Sequence, residues 1–351
     1  MRDNRMSERA EKALLKCLER VPFLTLEPVS ELDSVSGKRP DLQYRLRTPR
    51  IDKLLLIEIK STGHPKQVRE GVNQLLRYKE YYPDSYGLVA APFISSRSAS
   101  ICLQEGVGYL DFAGNCYLSF QQVYIRIEGQ PNPFGRDRSL RSLYAPKASR
   151  ILRVLLANPI DRIWKVKELG EESGVSIGLV SNVKKLLDER EWIEDHEVGF
   201  SLSDPGALLR EWAENYSYRK NRIREFYSLQ GISEIESRIA EACSKSNIKY
   251  ALTGFSAAAR MAPAVRYQRV MAYVGEGIDR LSQRLELKEV GSGANILLLE
   301  PYDEGVLYGC EEVDGLLVAS PIQVYLDLKG FRGRGEEAAE ALLEQVIMSK
   351  W

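Results

Sequence analysis

The chain has 351 residues, enough for about two to three domains of ~100–200 residues, so each can bury a core without disulfide staples. Apolar residues make up 44% and charged residues 28%, a soluble globular balance that excludes collagen, a coiled-coil rod and a disordered tail. The 49 Lys and Arg balance the 49 Asp and Glu, so there is no overall positive field, and nucleic-acid contact would need locally clustered charge. Cys17, Cys102, Cys116, Cys243 and Cys310 form no C-x-x-C pair, and an odd number so widely spread does not read as a disulfide framework; a reducing cytoplasm is the expected compartment. With only His64 and His196, histidine-rich zinc sites are excluded, and carboxylates and lysine must carry most of any chemistry. The opening MRDNRMSERAEK has no apolar leader segment, and no apolar run approaches the ~18–20 residues of a membrane span, so no membrane partner is expected.

In chain order, SERAEKALLKCLER predicts a helix over 7–20, capped by Ser7, with Leu14, Leu15 and Leu18 on one stripe and Glu11 on the same inward side. Two strand-like runs follow, separated by Thr48-Pro49-Arg50, which predicts a hairpin. In its second strand, period-two alternation puts Leu54, Leu56, Glu58 and Lys60 on one face and Leu55, Ile57 and Ile59 on the other. Asp41 opens the paired strand, where pairing would bring its carboxylate toward Glu58. Two carboxylates can hold a Mg²⁺ or Mn²⁺ that polarises a phosphate, and a neighbouring lysine can orient water or offset developing charge. The plain alternative is a surface ion pair on a half-buried strand.

Next come a helix in GVNQLLRYKEYYP, with Gln74 and Tyr78 at i,i+4, a strand SYGLVAAPF, a helix SRSASICLQEG and a strand VGYLDFAG. Pro40-Asp41, Glu58-x-Lys60 and the Gln74/Tyr78 helix together resemble the PD-(D/E)xK nuclease superfamily, including the Q-x-x-x-Y helix of its exonuclease-like branch. The resemblance covers about residues 7–120 and implies an α/β restriction-endonuclease-like core. It also implies Asp41 and Glu58 as metal ligands, Lys60 as catalytic lysine, Glu11 as an accessory carboxylate, and Gln74 and Tyr78 as organisers of site or substrate. His64 follows the strand closely enough to visit such a site, although a loop histidine before proline is commonly just exposed. Tyr109, Asp111 and Asn115 are read as a strand and turn packed beside it.

The stretch GQPNPFGRDRSLRSLYAP, with its prolines, glycines and arginines, predicts a linker over 129–146 between a first domain, 1–128, and the rest. Residues 147–202 then read as helix, short strand near Trp164, two helices joined at Gly174, and a hairpin, the order of a winged helix-turn-helix. Val180, Val183 and Leu187 face inward on the second helix of the pair. Its outward Ser176, Gly178, Ser181, Asn182, Lys184 and Lys185 suit a major groove and its phosphates. Arg136, Arg138, Arg141, Lys147, Arg150 and Arg153, with only Asp137 against them, predict a phosphate-contacting arm. The competing use of such a module is protein contact or dimerisation. His196, between Asp195 and Glu197, reads as a solvated turn residue.

Ser203, Asp204 and Pro205 predict the start of a helical stretch opening a third region, 203–351, of mixed strands and helices. Thr253-Gly254-Phe255-Ser256 is either a tight strand-to-helix turn or a phosphate-binding helix start. With SPIQVYLDL and GRGEEAAEALLE, these residues resemble the C-terminal domain of AbiEi-type antitoxins, transcriptional regulators of type IV toxin–antitoxin systems, mainly over 147–351. The resemblance implies a bacterial, minimal-nucleotidyltransferase-like domain and promoter DNA as ligand. YQRVMAYV stands where an acidic D-x-D would, which argues against nucleotidyl transfer.

The expectation is therefore a multidomain α/β and α+β protein that binds double-stranded DNA as a transcriptional regulator. A cognate toxin and a second copy of the chain are the candidate partners. The alternatives are a Mg²⁺-dependent DNA endonuclease targeted by its winged helix, and an inert interaction scaffold.

Overall fold

The computed structural model describes residues 2–19, 21, 23–29, 39–48, 50–134, 143–158, 161–331 and 333–351, with side chains from residue 5. The chain divides into two compact units, Met1–Arg138 with Asp188–Glu191, and Ser139–Leu187 with Trp192–Trp351. Both are mixed α/β. Among the described residues, no helix is long and apolar enough to cross a membrane.

The first unit is built on a seven-stranded sheet in sequential order: β1 (Thr25–Pro28), β2 (Leu42–Thr48), β3 (Ile51–Ile59), β4 (Ser85–Ala91), β5 (Gly108–Asp111), β6 (Cys116–Phe120) and β7 (Val123–Ile127). β3, β4 and β5 run parallel and the outer pairings are antiparallel. Parallel neighbours need a crossover, supplied by α2 (Pro65–Tyr81) and α3 (Ser96–Gln104). The alternation along β3 separates two cores. Leu55 and Ile57 join Ala10, Leu14 and Leu18 of α1 (Arg2–Leu18), whereas Leu56 joins Val68, Val72 and Leu75 of α2. Helix starts follow local chemistry: Pro65 occupies the first turn of α2, and Ser95 accepts the Ser98 backbone N–H at the start of α3.

Cys17 of α1 and Cys116 of β6 form a disulfide across 99 residues of sequence. Cysteine spacing argued against any bridge. The pairing follows from the fold instead, because α1 lies over the sheet face that carries Cys116.

In the second unit, α4 (Pro146–Ala157), α5 (Val166–Ser173) and α6 (Ile177–Asp188) precede the hairpin β8 (Ile193–His196) and β9 (Gly199–Leu202). Trp164 bridges to Phe200, adding a short third rung. Gly174 ends α5 in the left-handed conformation, φ 63°, which a glycine adopts without cost. Helix α7 (Pro205–Asn215) starts where the sequence predicted, with Asp204 accepting the Ala207 N–H. A second seven-stranded sheet follows, in the order β13-β10-β14-β12-β11-β16-β15. Its strands are β10 (Arg222–Tyr227), β11 (Tyr250–Leu252), β12 (Val270–Val274), β13 (Lys288–Glu289), β14 (Ile296–Glu300), β15 (Glu311–Val313) and β16 (Leu316–Val318). One continuous core runs from Leu143 to Ile347, so the α4–α6 layer and the sheet share it.

Inside that core lies a polar network. Asp327 of α8 (Pro321–Leu328) is fully buried and accepts hydrogen bonds from Thr253 Oγ1 at 2.5 Å, Tyr216 at 2.7 Å, Tyr273 at 2.9 Å and Gln323 Nε2 at 3.1 Å. Gln323 Oε1 in turn accepts from Arg153 of α4, at 2.6 Å from Nη2. Burial raises the Asp327 pKa above the ordinary carboxylate range, and the four donors only partly offset it. The native state therefore binds this proton more tightly than the unfolded chain does. The contribution of Asp327 to stability falls as pH rises from about 4, the unfolded value, to its folded pKa. Replacing Asp327 with Asn should flatten that descent, as read from denaturant midpoints between pH 4 and 8; an unchanged slope would remove Asp327 as its source.

Candidate functional site

The candidate site of the first unit lies at the carboxyl end of β3, one of three adjacent parallel strands. Because β3 is covered on both faces, Glu58 is carried with Leu56 to the α2 side and is only 4% exposed. A buried carboxylate needs a partner. Lys60, two residues on and on the same face, donates from Nζ to Glu58 Oε2 at 2.9 Å and to Gln74 Oε1 at 2.5 Å. Tyr78, one turn beyond Gln74 on α2, also hydrogen-bonds to Glu58. Leu42 pairs with Ile57, so Asp41 arrives beside the end of β3, where its Oδ2 accepts the Ile59 N–H at 2.6 Å. Asp41, Glu58, Lys60, Gln74 and Tyr78 are thus brought together.

Burial raises the Glu58 pKa, the Lys60 hydrogen bond opposes that rise, and the negative charge of Asp41 adds to it. Burial and neighbouring Glu58 push the Tyr78 phenol up as well, so it remains a donor. Gln67 Oε1 accepts from Ser61 Oγ and Thr62 N–H, which fixes the loop leaving β3. His64 ends this loop as the residue preceding α2. At the end of β5, buried Asp111 is consumed by the turn: it accepts the backbone N–H groups of Ile94, Ala113, Gly114 and Asn115.

Glu11 does not join this group. It is exposed and accepts from Tyr44 OH at 2.9 Å, and Tyr44 pairs with Leu55, whose side chain belongs to the α1 face. The sheet separates it from Glu58. One residue was missed: Gly71, a turn before Gln74 on the same side of α2. A Cβ there would stand 2.8 Å from Lys60 Cε, so the missing side chain makes room for the lysine. The i,i+3,i+7 spacing of Gly71, Gln74 and Tyr78 was the available signal.

In the second unit, Ser176, Gly178, Ser181, Asn182 and Lys185 are exposed along α6 or at its start, and Val180, Val183 and Leu187 are buried. Lys184 is turned toward the hairpin, 2.6 Å from Asp195, with its ammonium over the Phe200 ring. Lys147 is exposed in the first turn of α4. Arg150 and Arg153 differ from expectation. Arg150 is bidentate on Asp303, at 2.8 Å for each contact, and also meets Glu304. Arg153 is buried on Gln323, Ser149 and Tyr302. Apart from Ser149, their acceptors lie about 150 to 170 residues away in sequence, so local charge counting could not see them. Arg136, Arg138 and Arg141 lie outside the described residues. At the Thr253–Ser256 turn, Ser256 Oγ accepts the Met271 N–H and Thr253 donates to Asp327, so both hydroxyls serve the fold.

Two variants test the Glu58 environment. Lys60→Met should move the Glu58 carboxyl titration, followed by ¹³C NMR, further upward, because the cation that opposes burial is gone. Gly71→Ala should give a smaller shift of the same sign by displacing Lys60; no shift in either would show that the ion pair does not control Glu58.

A search of curated proteins finds no match to the chain. Among solved structures, an EndoMS–dsDNA2 complex is 16% identical over 29% of this chain and 44% of that one, with a TM-score of 0.22. EndoMS in apo form is 15% identical over 29% of this chain and 45% of that one, at 0.21. The chain thus spans less than half of either. Residues 201–348 match the family model described as transcriptional regulator, AbiEi antitoxin, type IV TA system, and over this C-terminal part the chain is similar to that family.

Proposed function

We propose that the protein is a DNA-binding transcriptional regulator of the AbiEi antitoxin kind, with α4–α6 and the β8–β9 hairpin serving as a winged helix-turn-helix. The carrying observation is the family match over residues 201–348. The exposed face of α6 supports it, because small, amide and basic side chains are what a major groove admits. In this reading promoter DNA is the ligand, a cognate toxin is the protein partner, and a second copy of the chain supplies the second half-site.

The test is a mobility-shift series on duplex DNA over a range of salt. Lys185→Ala should weaken binding to all duplexes alike and lower the salt slope by about 1. Lys184→Ala should do less, since that ammonium is held by Asp195. Unchanged affinity and slope in Lys185→Ala would remove α6 as the DNA-facing element.

A second reading rests on the convergence of Asp41, Glu58 and Lys60: a metal-dependent DNA endonuclease in the first unit. Among the described residues no three His, Cys, Asp or Glu side chains gather to hold a metal ion. Two carboxylates still fit a Mg²⁺ or Mn²⁺ that keeps several waters, so Asp41 and Glu58 are the residues that would hold it. Such an ion would supply charge to polarise a phosphate. Lys60 would hold Glu58 ionised, and Gln74 would keep the lysine aligned. Asp41→Ala should then abolish metal-dependent cutting of plasmid DNA and leave the mobility shift intact. Wild-type protein that shifts DNA and never cuts it, with either metal, would leave the regulator reading alone.

A further inference from the structure

Helix α6 exposes an apolar residue that the fold does not use. Ile177, in its first turn, is 54% exposed, whereas Val180, Val183, Leu186 and Leu187 are buried. Its neighbour Gly178 is equally unexplained by packing, since a Cβ there would meet nothing within 4 Å. Glycine in a helix costs about 1 kcal/mol relative to alanine, and among the described residues no contact at Gly178 offsets that cost. Residues 177, 178, 181, 182 and 185 span an arc of about 140° and about 12 Å along the helix axis, a face of the size a major groove accepts.

No carboxylate stands between Ser176 and Lys185. Exposed acids flank this stretch, Glu171 and Glu172 on α5 and Glu194, Asp195 and Glu197 in the hairpin, so the acid-free span from Ser176 to Lys185 is better suited than the hairpin to approach phosphates.

On the DNA-binding reading above, we propose that α6 reads A·T base pairs in the major groove. Ile177 packs on the C5 methyl of a thymine, and the Asn182 carboxamide donates to adenine N7 and accepts from N6. Gly178 lets the first turn approach the base edges without a side chain between them. Lys185 and Ser181 lie between the two readers and take phosphate and polar base-edge contacts.

The full chain would be used to select a binding site from random duplex DNA. Each thymine of that site would then be replaced by deoxyuridine, which lacks only the methyl, and each adenine by 7-deazaadenine, which lacks N7. One deoxyuridine should weaken wild-type binding about fourfold, the worth of one buried methyl, and leave Ile177→Ala indifferent. One 7-deazaadenine should weaken wild type about fivefold and leave Asn182→Ala indifferent. Gly178→Ala should melt no lower than wild type and bind the selected site at least tenfold more weakly. A flat thymine and adenine scan in wild type, or equal losses in wild type and variant, overturns the assignment and leaves DNA binding standing. Enrichment of no sequence despite a mobility shift does the same. Failure to shift any duplex overturns both readings.

Discussion

The constraint on which the first unit turns is that the carboxyl half of β3, Leu55 to Glu58, is buried on both faces. A strand in that position has no solvent side on which to place a polar residue, so the alternation that puts Leu55 and Ile57 against α1 drives Glu58 under α2. A carboxylate there is costly unless paired. Lys60 lies on the same face two residues later, its ammonium is the partner, and Gln74 holds that ammonium from the helix. Even the composition of α2 follows, because the lysine stem needs the space that Gly71 leaves open.

The second unit handles buried polarity differently. Asp327 is surrounded by neutral donors from four elements of the fold, and Arg153 enters the network one step removed, through Gln323. Arg150 is likewise matched by Asp303 and Glu304. These arginines serve as internal fasteners between α4 and both the segment after β14 and the Pro321–Leu328 helix. The exposed positive charge on the α4–α6 layer is correspondingly smaller than a residue count implies.

How far the sequence could be read follows from the range of the interactions involved. Period-two alternation pairs Glu58 with Lys60 and i,i+4 spacing pairs Gln74 with Tyr78, both locally, whereas the meeting of the two pairs is legible only as what the resemblance to the PD-(D/E)xK nucleases implies. Asp41 needed only hairpin pairing. Glu11 was misjudged because helical periodicity says that a residue faces inward without saying which side of a sheet receives it. The Cys17–Cys116 bridge and the pairing of Arg150 with Asp303 span about 100 and 150 residues, so no local pattern reports them. The start of α7 was legible because Asp204 and Pro205 act within one turn. Gly71 and Ile177 are omissions of opposite kinds: Gly71 is recognisable by the lysine stem packed against it, Ile177 by its exposure.

Two buried carboxylates with raised pKa values therefore have different meanings. Asp327 is fully enclosed and its hydrogen-bond partners are all neutral. It behaves as a core residue that happens to be acidic, and exchange for an isosteric amide costs it little chemistry. Glu58 stands at the carboxyl end of parallel strands, shares its charge with a lysine that is itself 15% exposed, and has the exposed Asp41 as its neighbour. Crevices at that end of an α/β sheet are where ligands bind, because the loops leaving the strands diverge there. A carboxylate that was only structural would gain from complete enclosure or from replacement by an apolar side chain. The retained cation and the open edge beside Asp41 are instead what an approaching anion or metal ion would need.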